Sequence, residues 1–339
     1  MHVLDRRLGI FAAGLSSVLM LSACGGDGDL TDDGGENDDT AASECETDVA
    51  PPDAGDLDAP FTDPVEPEGE DQKEINLALV PWEEAIAVTN MWYVILEEKG
   101  YEPEITELDI APVYQGLANG DLDLYVDMWL PQTHGDYWEE HGDNMEHFTP
   151  WYDNARLTLS VPEYMEDINT IDDLRENAEL FDNRIVGIEA GSGLFRTTED
   201  HAIPGYCLDD YEQVESSTAA MLAELDSAYS AEEPIVVTLW RPHIAYAQYD
   251  LKDLEDPRGM MGEAETTDPV AREGFSEDFP HFRNWLDNFE LNDEELGDLE
   301  YMTLDEYEDD PQEGARQWLA DNPEVLERTL GDDAEGLEF

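Results

Sequence analysis

Three stretches of the chain end in the same way: LVPW at Trp82, VDMW at Trp129 and VTLW at Trp240 each run through apolar residues into a tryptophan. The second and third continue as WLP and WRP, and proline cannot extend a sheet ladder. Each indole is therefore expected at the carboxyl edge of a strand, where open α/β sheets place ligands. Packing would explain one such tryptophan; three in equivalent positions point to a shared ligand. Indole faces around one space attract, through the ring quadrupole, a cation that hydrogen bonds cannot satisfy, such as a quaternary ammonium. At up to about 2 kcal/mol per desolvated face, three faces supply about 6 of the ~8.2 kcal/mol of micromolar binding. Trp92, Trp285 and Trp318 fall within helical apolar patterns and read as core, whereas Trp138 and Trp151 fit neither class.

Such a cage alone holds choline as well as a betaine. An anionic end needs its own partners, and two candidates stand nearby in type. His134, five residues after Trp129, offers an imidazole N–H or imidazolium donor, or else caps a helix over 131–141. EAGSGLF (189–195) offers a glycine turn opening a helix, whose first N–H groups suit a carboxylate, or else a plain tight turn. An exported enzyme is the alternative of a different class. The chain has no G-x-S-x-G or H-E-x-x-H motif, and Ala190 occupies the first glycine position of EAGSG. The spacing of His134, His141 and His147 fits no standard metal site. An acidic surface protein without a small ligand is a third class, but it has no use for three strand-end tryptophans.

The elements that must position these residues alternate strand with helix, as parallel α/β units do. INLALV (75–80), EPEITEL (102–108) and DLDLYVDMW (121–129) read as strands, with helices over 83–100 and up to Asn119-Gly120 between them. ARLTLSVP (155–162) leaves this unit, and RIVGIE (184–189), YEQVESS and IVVTLW (235–240) form a second set with intervening helices. From about residue 250 the pattern becomes a helical tail.

In this order, PWEEAIAVTN, DLDLYVDMWLPQTH, EAGSGLF and TLWRPH resemble the substrate-binding proteins of ABC-type glycine betaine/proline importers, over essentially residues 75–330. The resemblance implies an α/β, two-lobed, periplasmic-binding-protein-like (type II) fold with a hinge and the ligand between the lobes. Lobe I is expected over 75–155, lobe II over 156–244, and the return to lobe I with the helical tail over 245–339. It further implies that Trp82, Trp129 and Trp240 cage a quaternary ammonium group, and that His134 with the backbone amides of Gly193 and Leu194 holds a carboxylate. No covalent chemistry and no cofactor are implied. The partners would be a betaine, a membrane permease and a separate ATPase subunit, since this chain carries no Walker motif. Relatives often place an aromatic after the third segment's Pro-His, where this chain has Ile244. The residues leave glycine betaine, other betaines, carnitine and choline open.

Arg6-Arg7 followed by LGIFAAGLSSVLML reads as a signal peptide, and LSAC resembles a lipobox, so residues 1–24 are expected to end in a lipidated Cys24 on the outer face of the cytoplasmic membrane. Residues 25–74, acidic and without periodicity, read as a disordered tether. Cys45 lies in that stretch and Cys207 in the folded part, two thiols available to pair in an exported chain.

The 339 residues hold 86 acidic and 15 basic side chains, a net charge of −71. The sign excludes nucleic acid as a partner. Like charges at this density repel across a Debye length of about 30 Å at 0.01 M salt but only about 3 Å at 1 M, the pattern of a protein built for brine, a halophile's. The melting temperature is accordingly expected to climb between about 0.1 M and about 3 M salt; a flat profile in a thermal scan would refute the brine reading.

Overall fold

The computed structural model describes residues 45–53, 57–64, 66–337 and 339. The expected signal peptide, lipobox and Cys24 lie outside the described residues. The first α/β unit runs β1 (Glu74–Leu79), α1 (Glu83–Glu98), β2 (Glu102–Glu107), α2 (Ile110–Asn119) and β3 (Leu124–Leu130). β1 pairs in parallel with β2 along its length, and with β3 at Leu77↔Leu124. The glycine stop read at Asn119-Gly120 holds: Gly120 takes φ 76°, and its N–H closes on the Gly116 and Leu117 carbonyls. β3 is buried at all seven residues, as a strand covered on both faces must be. α3 (Gly135–His141) and β4 (Met145–His147) follow.

β5 (Tyr152–Pro162) then carries the chain into a second set: α4 (Ile171–Glu176), β6 (Arg184–Val186), α5 (Gly193–Thr197), α6 (Ile203–Gly205), β7 (Glu212–Val214), α7 (Thr218–Ala231), β8 (Val237–Arg241), α8 (Ala245–Gln248) and β9 (Leu251–Asp253). β6 is parallel to β7 and β8, while β8 and β9 run antiparallel to β5. β10 (Glu265–Arg272) returns to the first set, followed by α9 (Phe275–Asp278), α10 (Pro280–Asn288), α11 (Asp293–Tyr301), α12 (Pro311–Asp321) and α13 (Pro323–Leu330). The order across the sheet is β2-β1-β3-β10-β5-β8-β6-β7, with β4 on β10 and β9 on β5.

β10 departs from the helical tail expected after residue 250. It lies between β3 and β5 and is antiparallel to both. Asp268-Pro269 interrupts its apolar pattern, but the register slips between Asp268 and Val270, so proline sits where the ladder is already broken. The buried Asp268 carboxylate meets His147 Nε2 at 2.7 Å.

The core tryptophans behave as their helical spacing predicts. Trp92 packs on Phe282 and Phe289 with centroids 5.0 and 5.1 Å away, and Trp285 and Trp318 are buried. The two unassigned indoles are structural: Trp138 donates to Asp58 O and Trp151 to Val126 O.

Within the stretch read as a tether, residues from Cys45 onward make specific contacts with the folded body. Cys45 is disulfide-bonded to Cys207, and His201 Nδ1 lies 3.1 Å from Ala50 O, both on the β6–β8 side. Further on, Thr62 N–H donates to His147 O and Thr62 O accepts from Arg283 Nη2, both on the β3–β10 side. Asp71 accepts from Tyr101 O–H and from the N–H groups of His281 and Phe282. Reducing the Cys45–Cys207 bond is expected to lower unfolding free energy by about 2–4 kcal/mol and to open residues 45–53 to protease. Limited proteolysis with and without reductant checks this; identical cleavage would show that the disulfide does not hold the segment.

Candidate functional site

The three strand-end tryptophans converge. Trp82 lies three residues beyond the end of β1 and sits at the N-cap of α1, while Trp129 and Trp240 are the penultimate residues of β3 and β8. Together with His134, Thr133, Leu157, Ile188, Ser192, Gly193, Leu194 and Glu84 they line a pocket with about 280 Å³ of empty space, part of it open to solvent. All six residues singled out for a ligand in the sequence thus line one space. The peptide bonds after the strands, Leu130–Pro131 and Arg241–Pro242, are both cis.

A buried indole N–H usually finds an acceptor, and each of these three finds a carboxylate. Trp240 Nε1 donates to Glu84 Oε2 at 2.7 Å, Trp129 Nε1 to Asp127 Oδ1 at 3.0 Å, and Trp82 Nε1 to Glu189 Oε2 at 3.5 Å. Glu189 is anchored in turn by the backbone N–H of Thr218 at 2.9 Å. These bonds restrain the three rings, all of which line the cavity. Sequence reasoning passed over all three acids, although Glu84 stands two residues after Trp82.

His134 is wholly buried, and its tautomer is set by the backbone. Nδ1 accepts the Trp129 N–H at 2.9 Å, so the ring proton sits on Nε2, which has no acceptor among the described residues. Burial, with a smaller contribution from Arg196, pulls its pKa down to about 3, so a neutral Nε2–H donor is present at working pH. The ring stacks on Trp82 with centroids 5.6 Å apart at 12°. His134 occupies the N-cap position of α3 but its side chain makes no cap bond. His147 is engaged elsewhere, with Asp268 and Ala59 O.

The glycine turn closes over this wall. Ser192 caps α5 by accepting the Phe195 N–H, which leaves the first two helical N–H groups, those of Gly193 and Leu194, without intrahelical acceptors. Thr133 explains the glycine: a Cβ on Gly193 would lie 2.2 Å from the Thr133 carbonyl oxygen. Arg196 Nη2 donates to the same carbonyl at 3.1 Å, Tyr137 O–H to Gly191 O at 3.0 Å, and Gln132 Nε2 to Thr197 Oγ1 at 3.2 Å. Beneath, the buried Glu265 of β10 accepts from the N–H groups of Gln132 and Thr133 and from the Thr133 hydroxyl, fixing the loop. The two sets of strands therefore meet across a closed cleft.

Two α/β lobes with this pocket between them define a type II substrate-binding protein. The chain belongs to the family of substrate binding domains of ABC-type glycine betaine transport systems, whose family model matches residues 73–321. It is 37% identical over 154 residues to the glycine betaine/carnitine transport binding protein GbuC of Listeria monocytogenes, covering 45% of this chain and 50% of that protein. The chain thus spans about half the length of that curated relative. Among solved structures, the glycine/betaine/L-proline-binding protein ProX from Borrelia burgdorferi is 31% identical with a TM-score of 0.72, over 77% of this chain and 98% of that one. An ABC-transporter choline binding protein in complex with choline is 25% identical with a TM-score of 0.70, over 77% and 92%. The family binds its substrates and is not enzymatic.

Gly193→Ala is expected to hold the cleft open, because the new methyl meets backbone rather than a yielding side chain. Ligand affinity should fall about tenfold or more, within the 1–3 kcal/mol range of overpacking, and scattering should show a larger radius of gyration with ligand present. Unchanged affinity would mean that the closed arrangement is not the ligand-holding one.

Proposed function

We propose that this chain is the extracytoplasmic receptor of an ABC importer and captures glycine betaine, or a closely related zwitterionic quaternary ammonium solute, for osmoprotection. One observation carries the choice of ligand: the cavity presents three indole faces together with an unpartnered, neutral Nε2–H on His134. The faces suit a trimethylammonium head. The imidazole donor and the N–H groups of Gly193 and Leu194 suit a carboxylate at the other end. Lipidation at Cys24 would keep the receptor beside its permease. The hinge is assigned to the two crossings between the strand sets, at Ala155 and in 254–264. No helix among the described residues is long and apolar enough to cross a membrane.

Choline is the competing ligand, since it shares the head group and ends in a hydroxyl. Trp82→Ala, Trp129→Ala and Trp240→Ala are each expected to cost about 1–3 kcal/mol of binding, with Trp285→Ala close to wild type. His134→Ala should lose more affinity for betaine than for choline. Because the histidine is already neutral, betaine affinity should not decline as pH rises through the ordinary histidine range. Calorimetric titration of a betaine, carnitine and choline panel decides. Equal losses for betaine and choline in His134→Ala would remove the carboxylate reading and leave a receptor for quaternary amines in general.

A further inference from the structure

Two of the three acids behind the cage lie in a layer that lacks a counter-cation. Glu84 and Asp127, which accept the indole protons of Trp240 and Trp129, are 2% and 0% exposed. Among the described residues neither forms an ion pair with arginine or lysine, although Arg272, Arg316 and Arg328 pair with acids elsewhere in the molecule. The groups that act on them are acidic or neutral: Glu83 next to Glu84 on α1, Glu300 from α11, and the phenols of Tyr114 and Tyr125, while the Arg196 guanidinium acts further out on Tyr114 and His134. His243 Nε2 lies 3.3 Å from Glu83, and His243 Nδ1 accepts the Ala245 N–H. Glu84 also forms part of the cavity wall.

Resting on the quaternary ammonium reading above, we propose that Glu84 and Asp127 set the charge selectivity of the cage, making it prefer a permanent cation to a neutral group of the same shape. An acceptor behind each indole N–H fixes the ring and pushes electron density onto the face that meets the ligand. A cation between the rings supplies the counter-charge that the buried acids lack, whereas a tert-butyl group fills the same space and supplies none.

The geometry has a protonic consequence. Burial holds the Glu84 carboxyl well above the usual carboxylate range, with Asp127 and then Glu300 adding to it. Burial likewise raises Asp127 to about 7, against the opposing hydrogen bonds from Trp129 and Tyr125. A bound cation favours the ionised form of both acids, so binding releases protons. Affinity for a cationic ligand therefore rises with pH until the pair is ionised in the free protein. A histidinium donor would give the opposite slope.

The test uses glycine betaine and 3,3-dimethylbutanoate, its isostere with carbon in place of the quaternary nitrogen. Both are titrated calorimetrically into the full chain in about 1 M salt, from about pH 6 to about pH 8.5, in buffers of differing ionisation enthalpy to count protons. Wild type should prefer betaine by about tenfold or more, with protons released on binding betaine and a preference that widens with pH. Glu84→Gln and Asp127→Asn keep an amide oxygen as acceptor for the indole. Each should lose most of the preference and the proton release, while isostere affinity falls much less. Parallel losses for both ligands, or a wild-type preference independent of pH, would overturn the assignment, and the second readout decides even if a variant fails to fold. A wild type that binds neither ligand would overturn the betaine reading itself, and this inference with it.

Discussion

The arrangement of the cleft's three tryptophans depends on the hydrogen bonds that serve their buried indole N–H groups. Three tryptophans cannot present bare faces to a small cavity unless their polar edges are served from behind, and in this chain the servers are Glu84, Asp127 and Glu189. Two of these bonds cross between the strand sets: Glu84 on α1 holds Trp240 of β8, and Glu189 after β6 holds Trp82 after β1. The bonds that orient the cage are therefore also bonds that close it. Separating the strand sets would part Trp240 and Trp82 from their acceptors, while Trp129 keeps Asp127 on its own strand.

The same economy governs the surface. A chain with 86 acidic and 15 basic side chains cannot pair its carboxylates, and its few arginines are placed where elements meet. Arg316 joins α12 to the end of α1 through Glu97 and Glu98, and Arg272 joins β10 to Asp123 and Asp278. Exposed pairs of this kind contribute little singly, and the bulk of the repulsion is left to be screened by salt.

Much of this was readable from residue order. The strand–Trp–Pro pattern located Trp129 and Trp240 because period-2 apolar runs and a ladder-breaking proline are local signals, and the glycine of EAGSGLF marked the turn that Thr133 later explains. β10 was not readable, because Asp268-Pro269 looks like a loop until β3 and β5 are known to flank it. The three acids behind the cage were invisible for another reason: against so many carboxylates, one that binds an indole carries no contrast. The Cys45–Cys207 bond and the role of Glu265 beneath Gln132 and Thr133 depend on contacts between residues more than a hundred positions apart, and no local pattern encodes those.

Ala155 of β5 and Glu265 of β10 are register partners. Everything between them, including the glycine turn, Glu189 and Trp240, thus enters and leaves the rest of the molecule at neighbouring points. Such a segment is a cassette in the genetic sense: a recombination event at its two adjacent ends would transplant one wall of the pocket, with Trp240 and the glycine turn, and leave Trp82, Trp129 and His134 in place. Ligand repertoire in this architecture could therefore change by exchange of halves, one inherited wall meeting one borrowed wall, with the Cys45–Cys207 disulfide as a covalent link that such an exchange would have to restore.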